Sequence, residues 1–449
     1  MRLVMPFLCN TRVLKTVKLP MLLLNLTLAV IALNIVILNV AMAKSTSTAK
    51  PTNFIQYDAT SIANVKLSLK NNTAAPYTQK AYKALIKKAD STLKMTNPSV
   101  MDKDFFPPSK DKHDYLSLSR YWWPDPKSPD GLPWIRKDGI TNPDTQTDHV
   151  DRGRLGETMR AIRILSLAYY FSNDEKYAQK GVSLINTWFL DENTKMNPHL
   201  EYGQSVPGNP KSRRSGMLDG RVIPENVLDA ITIFSNSPAW TATQDTQMTA
   251  WLTQYLTWLT TSELGKSGAS QKNNHGSWYH FQVAALAWYL ADDALLKQSI
   301  IAAQQSFPEQ FDAQGAQQHE LARTRAFFYS CFNLQALALI ANIAEKSNLA
   351  TANLSLWQYQ SPTGQSLQLA TDYLMPVTRE EKWPHASKNL DQSQLSPILS
   401  SLVMYANKPE YQATLSKIIK DLTKNKKLTS NQKRTYYEFV LLTPQLLTP

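Results

Sequence analysis

Beyond residue 53, apolar residues recur three or four positions apart, which is the spacing that lines one face of an α-helix. In residues 77–95, for example, Ala81, Leu85, Ala89 and Leu93 fall on one face. The strict alternation of apolar and polar residues that marks half-buried strands is scarce. The pattern therefore predicts an all-α protein.

Most predicted helices come in pairs joined by short polar segments. In the first pair, Ser172, Asn173 and Asp174 separate two apolar runs, and Asn and Asp favour a turn and a helix cap. Stacked helical hairpins can close into an incomplete α/α toroid, which we predict, and an open α-solenoid is the alternative. The pairs lie at 156–171 with 176–189, 223–236 with 245–262, 277–291 with 293–306, 318–344 with 364–375, and 393–406 with 408–424.

Two long stretches, 97–150 and 190–222, lack helical periodicity. A compact domain seldom carries structureless loops of this length unless they serve a function. We therefore expect these two stretches to form the substrate cleft.

The first 43 residues predict export. Four basic residues and no acidic one precede an apolar run at 21–40, and Ala41-Met42-Ala43 follows as a cleavage signal. An uncleaved membrane anchor is the alternative, because the run approaches membrane-spanning length. Polar residues 44–53 predict a linker, residues 54–449 predict a single domain, and the exported chain is expected in the periplasm.

The net charge of +12 suits an acidic partner, although solubility alone also explains it. An exported protein meets no nucleic acid, so an acidic polysaccharide is the expected polyanion. Cys331 remains alone once Cys9 leaves with the leader, and neither zinc-type Cys/His spacing nor a Gly-rich phosphate loop occurs. We predict no metal and no cofactor, with membrane contact only through an uncleaved leader. The sequence leaves the oligomeric state open.

Three motifs carry candidate chemistry. The first, Arg120-Tyr121-Trp122-Trp123, lies in the first irregular stretch and precedes a proline. Aromatic rings stack on sugars and arginine binds carboxylates, so this loop is a candidate sugar-binding surface. The alternative is that its tryptophans pack the loop onto the core, since tryptophan is mostly buried in proteins.

The second motif, Asn273-Asn274-His275, comes just before a predicted helix. Its side chains would point from a helix N-terminus, where anions are favoured, and histidine exchanges protons near neutral pH. An ordinary loop and helix cap is the alternative.

The third motif places Glu320, Arg323 and Tyr329 in the predicted helix 318–344. Arg323 and Tyr329 are six positions apart, so they lie about 240° apart around a helix. They can serve one site only if the helix ends or kinks, or if their long side chains converge. Glu320 and Arg323 can also form a mere surface ion pair.

Together these residue types suit removal of a proton α to a carboxylate, because Asn, Arg and His can stabilise the charge that builds up there. A base must take the C5 proton, and an acid must protonate the C4 leaving oxygen. One tyrosine can do both in mannuronate and glucuronate, where the two groups share a face, but not in guluronate. A glycoside hydrolase would need a carboxylate pair, which the spacing of the available acids does not mark: Glu157, Glu201, Asp219 and Glu225.

The order of these motifs resembles the alginate lyase superfamily across roughly residues 112–347. The resemblance implies an α/α toroid, and the aromatic loop is similar to a branch that includes glucuronan lyases as well as alginate lyases. Asn-Pro-His-Leu and Tyr-Gly-Gln replace the family's usual Asn-Pro-Asn-Leu and Tyr-Ala-Gln, which bears on substrate choice. The matching segments are Tyr121-Trp-Trp-Pro-Asp-Pro, Asn197-Pro-His-Leu-Glu-Tyr-Gly-Gln204, Asn273-Asn-His275, and Glu320-Leu-Ala-Arg323 with Tyr329.

The resemblance implies that Asn274 and Arg323 neutralise the substrate carboxylate, that His275 assists or accepts a proton, and that Tyr329 is both base and acid. The predicted function is β-elimination of a polyuronate, either alginate (polymannuronate) or glucuronan. The alternative is a non-catalytic protein that binds acidic glycans on the same fold. The predicted substrate-binding residues are Tyr121, Trp122, Trp123, Gln204, Arg213, Arg214 and Glu320.

Overall fold

The computed structural model describes residues 54–351, 353–386, 390–424 and 428–447, with the backbone alone for 210–215, 423, 430, 431, 434 and 447. The predicted leader and linker lie outside these residues, so their boundaries and the periplasmic location stay predictions. Residues Lys50–Pro449 group into one unit by their contacts.

Helices account for most of the described chain, as the apolar spacing predicts. Many begin at a side-chain cap: Asp174, for instance, accepts a hydrogen bond from the main-chain N–H of Lys176. The helices are α1 Ala59–Lys70, α2 Pro76–Leu93, α3 Arg152–Ser172, α4 Glu175–Ile185, α5 Val222–Phe234, α6 Ala242–Thr261, α7 Glu263–Ala269, α8 Asn274–Tyr289, α9 Asp293–Gln305, α10 Phe307–Gln310, α11 Gln318–Leu321, α12 Ala326–Lys346, α13 Leu367–Asp372, α14 Ser396–Tyr405, α15 Gln412–Lys424 and α16 Ser430–Leu442.

The helices pack side by side in a ring. α2 contacts α3, and contacts then run from α3 to α5, α8, α12, α14, α15 and α16. The last helix returns to the start of the chain, because α16 also packs against α1 and α2. This ring of helical hairpins is the α/α toroid predicted from the sequence, and the alternative of an open solenoid is wrong.

The turn between α3 and α4 confirms the first predicted hairpin. Asn173 ends α3 in the left-handed conformation, with φ of 56°, and Asp174 caps α4. Asparagine tolerates this conformation better than most residues, so the sequence signal and the geometry share one cause.

The predicted helix 318–344 is wrong in one respect. The structure breaks it into α11 and α12, and residues 322–325 form the connection. Arg323 lies in that break, which satisfies the condition under which Arg323 and Tyr329 can meet.

The two irregular stretches contain short strands that the sequence pattern did not reveal. Strand β1 (Leu116–Leu118) pairs in parallel with β4 (Tyr202–Ser205), so the two stretches are joined to each other. Strand β2 (Trp122–Trp123) pairs antiparallel with β3 (Ile135–Arg136) and holds the aromatic motif in a hairpin. Strands this short give no readable alternation.

The core lies between the helices of the ring. α12 is long and apolar enough to cross a membrane by length and composition, but 78% of its most apolar window is buried within the protein. It is therefore a core helix, and Cys331 on it is buried as a free thiol.

Candidate active site

Arg323 and Tyr329 form the centre of the site. The Arg323 guanidinium lies 3.9 Å from the centre of the Tyr329 ring. Because the chain turns between α11 and α12, the Arg323 side chain lies over the first turn of α12, which contains Tyr329. The attraction of a cation to an aromatic face stabilises this arrangement.

Asp138, which sequence reasoning missed, holds this arginine in place. Its carboxylate accepts hydrogen bonds from Nε of Arg323 at 3.2 Å and from a terminal nitrogen at 2.8 Å. The same carboxylate pairs with Arg136 at 2.7 Å. Although partial burial opposes ionisation, Arg323 and Arg136 lower the pKa of Asp138 to about 2. The acid is therefore charged throughout any working pH range.

Tyr329 is 7% exposed, and its hydroxyl lies 2.8 Å from the hydroxyl of Tyr121. Burial raises the pKa of Tyr329, and the nearby Arg323 opposes that shift. Tyr121 comes from the aromatic loop of the first irregular stretch. The loop and α12 therefore meet at the phenol oxygen of Tyr329.

Asn274 and Glu320 form a second contact beside this centre. Both are 1% exposed. The main-chain N–H of Asn274 donates to Glu320 at 2.7 Å, and its side-chain amide donates at 2.8 and 3.0 Å. Glu320 therefore lies beneath Asn274, where it acts on that residue. Both carboxylate oxygens accept hydrogen bonds from Asn274, and the direct contact of Glu320 with a saccharide stays a prediction.

His275 follows Asn274 in the first turn of α8 and is half-buried. Its main-chain N–H donates to the side chain of Asn273 at 3.0 Å, which caps the helix. The alternative interpretation of this motif was an ordinary helix cap, and Asn273 is the residue that caps the helix. The Asn274 side chain is hydrogen-bonded to Glu320 instead.

Gln204 belongs to a buried network around Asp219. Its side-chain amide donates to Asp219 at 2.8 Å, and Ser117 donates to the same carboxylate at 2.6 Å. Arg152 forms an ion pair with Asp219 at 3.3 Å. Gln204 also adopts a φ of 49°, which is unusual for a residue other than glycine. The hydrogen bonds of this network hold the strained residue in place within strand β4.

Three arginines surround this network. Burial, together with the neighbouring Arg152, lowers the pKa of Arg120, and Arg221 shows the same direction, with Arg152 and Arg120 among its causes. The Nε of Arg120 is buried without a hydrogen-bond partner. The electrostatic influence of these guanidinium groups on one another favours an anion nearby, although Asp219 and Glu225 already offset part of their charge.

Sequence reasoning missed Asp138, Arg152 and Arg221 as site residues. Each is a single charged residue in a loop or at a helix start, with no spacing that marks it. Asp219 was considered only as a candidate hydrolase acid, but its carboxylate is 3% exposed and occupied by hydrogen bonds. The side chains of Arg213 and Arg214 lie outside the described residues.

Residues 99–384 match the family model described as alginate lyase. A crystal structure of an alginate lyase from Bacteroides ovatus is 38% identical, with a TM-score of 0.78, and covers 87% of this chain and 98% of its own. The chain belongs to the alginate lyase family. No curated protein sequence matches it significantly.

More distant structures share the fold of this family member. Alginate lyase A1-III from Sphingomonas species A1 is 12% identical, with a TM-score of 0.53, over 81% of this chain and 91% of its own. A variant of A1-III complexed with a tetrasaccharide is 14% identical, with a TM-score of 0.52, over 79% of this chain and 88% of its own.

We predict that Trp122→Ala and Trp123→Ala raise the KM for polyuronate while leaving the Tm nearly unchanged. Both side chains are only half-buried in the β2–β3 hairpin, and Lys137 lies 4.9 Å over the Trp123 ring. Loss of one stacked sugar should cost about 1 kcal/mol, roughly a fivefold rise in KM. Trp188→Ala, at a fully buried position, is the matched core control and should lower the Tm. A Trp122 or Trp123 variant that behaves like this control would assign the loop to packing.

Proposed function

We propose that this polysaccharide lyase of the alginate lyase family cleaves a polyuronate by β-elimination and leaves a 4,5-unsaturated uronate at the new end. The placement of Arg323 against Tyr329, with the hydroxyl of Tyr121 2.8 Å from the Tyr329 oxygen, carries the proposal. The similar alginate lyase from Bacteroides ovatus supports a uronate polymer as the substrate.

The C5 proton of a uronate is a weak acid, because its removal places charge on the neighbouring carboxylate. Asn274 and Arg323 are proposed to bind that carboxylate and to stabilise the charge as it grows. Donors fixed before the reaction are worth several kcal/mol, since they need no rearrangement when the charge develops. Asp138 and Glu320 hold the two donors, through the hydrogen bonds at 2.8 Å described above.

Tyr329 is proposed to take the C5 proton and to return a proton to the C4 oxygen as the C4–O bond breaks. Burial raises the pKa of Tyr329, so the phenol is proposed first to pass its proton to His275. The phenolate then takes the C5 proton and gives that proton to the C4 oxygen, which restores the phenolate. The Arg323 guanidinium above the ring stabilises the phenolate when it forms. The hydroxyl of Tyr121 is the hydrogen-bonding group next to it, and His275 assists in accepting the proton.

The arginines around Asp219 are proposed to bind uronates next to the one that is cleaved. A polyuronate presents one carboxylate per sugar, so an extended substrate needs repeated cationic contacts. Arg120 links the two parts of the cleft, since it adjoins Tyr121 in the sequence and interacts electrostatically with Arg152. Gln204, buried beside these groups, holds the network rather than extending from it.

We expect the purified chain to release ultraviolet-absorbing unsaturated product from polymannuronate or polyglucuronate, and little from polyguluronate. In the first two, the C5 proton and the C4 oxygen share one face and a single tyrosine reaches both. The measurement is the absorbance of each pure polymer after addition of enzyme, with heat-inactivated enzyme as control. Binding of these polymers without product would show the non-catalytic glycan-binding alternative. Strong activity on polyguluronate would contradict the one-face argument.

A further inference from the structure

Glu320 is an ionisable residue without a dedicated counter-ion. Its side chain is 1% exposed on α11, and the neighbour from α8 is the neutral Asn274. Among the described charged groups, Arg323 acts on it electrostatically. That guanidinium is already hydrogen-bonded twice to Asp138. A negative charge on Glu320 is therefore poorly compensated.

The hydrogen bonds show how Glu320 holds Asn274. The Asn274 Nδ2 lies 3.0 Å from Oε1 and 2.8 Å from Oε2 of Glu320. The two oxygens of one carboxyl group lie in nearly the same direction from that nitrogen, so one N–H points to them. The second N–H points about 120° away from the carboxyl group, because the amide nitrogen is planar.

The remaining polar atom of Asn274 lacks a partner. Its Oδ1 is buried and accepts no hydrogen bond. A buried acceptor without a donor costs about 1–3 kcal/mol. A protonated carboxyl group beside Asn274 would offer Oδ1 a donor from one oxygen and still accept from the amide at the other.

We propose that Glu320 is a positioning residue that works as a neutral carboxylic acid, paired with Asn274, and that the enzyme turns over polyuronate only when Glu320 is protonated. The inference rests on the proposed function, in which Asn274 meets a uronate carboxylate whose charge grows during the reaction. A second negative charge beneath Asn274 would oppose that growth. Burial raises the pKa of Glu320 to about 7, which is consistent with a neutral acid at work.

The test compares Glu320→Gln with the wild type over a range of pH. Glutamine imitates the protonated acid, since its amide donates to Oδ1 and its oxygen accepts from Asn274. We expect the ratio of kcat/KM for the variant to that of the wild type to be nearly constant below pH 7. Above the pKa of about 7, the ratio should rise and approach tenfold per pH unit. The ratio cancels every other titration that the two enzymes share.

Two further variants separate positioning from folding. Glu320→Ala removes both bonds to Asn274 and should lose most of kcat, whereas Glu320→Gln rescues it. Glu263→Gln, at an exposed position paired with Lys266, should leave the pH profile unchanged. A flat or falling ratio overturns the proposal, and so does a folded Glu320→Gln enzyme without activity.

Infrared spectroscopy separates this inference from the proposed function. The wild-type spectrum should contain a carboxylic acid band that is missing in Glu320→Gln. This band reports the protonation of Glu320 whether or not the protein is active. We expect that band to persist at pH 6 and to fade as the pH rises above about 7. Its absence at pH 6 overturns the neutral acid, while its presence in a protein inactive on all polyuronates overturns the proposed function alone.

Discussion

Tyr329→Phe is expected to lower kcat by at least 10²–10⁴-fold, because one phenol oxygen performs both proton transfers and general acid–base catalysis contributes about that factor. Binding of polyuronate should survive. The phenyl ring retains its place against Arg323, 3.9 Å from the guanidinium, and the contacts of that guanidinium with Asp138 are unchanged. Rate measurements on polymannuronate or polyglucuronate, with binding measured by calorimetry, separate the two effects.

Two comparisons sharpen this result. Tyr177→Phe is the matched control. Tyr177 lies on α4, and its hydroxyl donates a hydrogen bond to Asp90 at 2.8 Å, so its loss should leave kcat unchanged. Arg323→Ala should damage binding and rate together, since it removes the cation from both the carboxylate and the tyrosine. A Tyr329→Phe enzyme that keeps more than about a tenth of the wild-type rate would move the base to His275.

The fold was accessible from the sequence because most helices carry their own signals. The cap at Asp174 and the left-handed Asn173 are local features, and local features can be read in order along the chain. Helices α1, α7 and α16 were not predicted, because their apolar stripes are short or weak. The pairing of β1 with β4 could not be predicted, since the two strands are only three and four residues long and far apart in the sequence.

The active site was likewise predictable only in part. Asn274, His275, Arg323 and Tyr329 were proposed from residue type and family resemblance, and the structure gives Arg323 and Tyr329 a shared position through the break before α12. Their supporting charges were not accessible. Asp138 lies 185 residues from Arg323, and the tertiary fold brings them together.

Lys103→Met is expected to lower the free energy of unfolding by up to about 3–5 kcal/mol, because it removes the nearer cation from the buried Asp151 carboxylate and leaves only the longer pair with Arg154 at 3.6 Å. The two side chains are fully buried and 3.0 Å apart. Burial lowers the pKa of Lys103 and raises that of Asp151, so each ion depends on the other. The lysine also donates to the carbonyls of Val100 and Lys112, at 2.6 and 2.5 Å.

Urea unfolding of this variant checks the stability loss, and two matched variants test its cause. Lys103→Met with Asp151→Asn removes both charges and should recover part of the loss, although the two carbonyls stay without their donor. Lys266→Met breaks an exposed pair with Glu263 and should cost no more than about 1 kcal/mol.

The buried pair of Lys103 and Asp151 joins the first irregular stretch to the start of α3, because Asp151 also accepts a hydrogen bond from the main-chain N–H of Leu116 at 2.9 Å. That stretch carries Tyr121, so the Lys103→Met enzyme should also show a higher KM while it is still folded. A stability loss below about 1 kcal/mol would mean that the pair is dispensable, and that other contacts hold the aromatic loop over Tyr329.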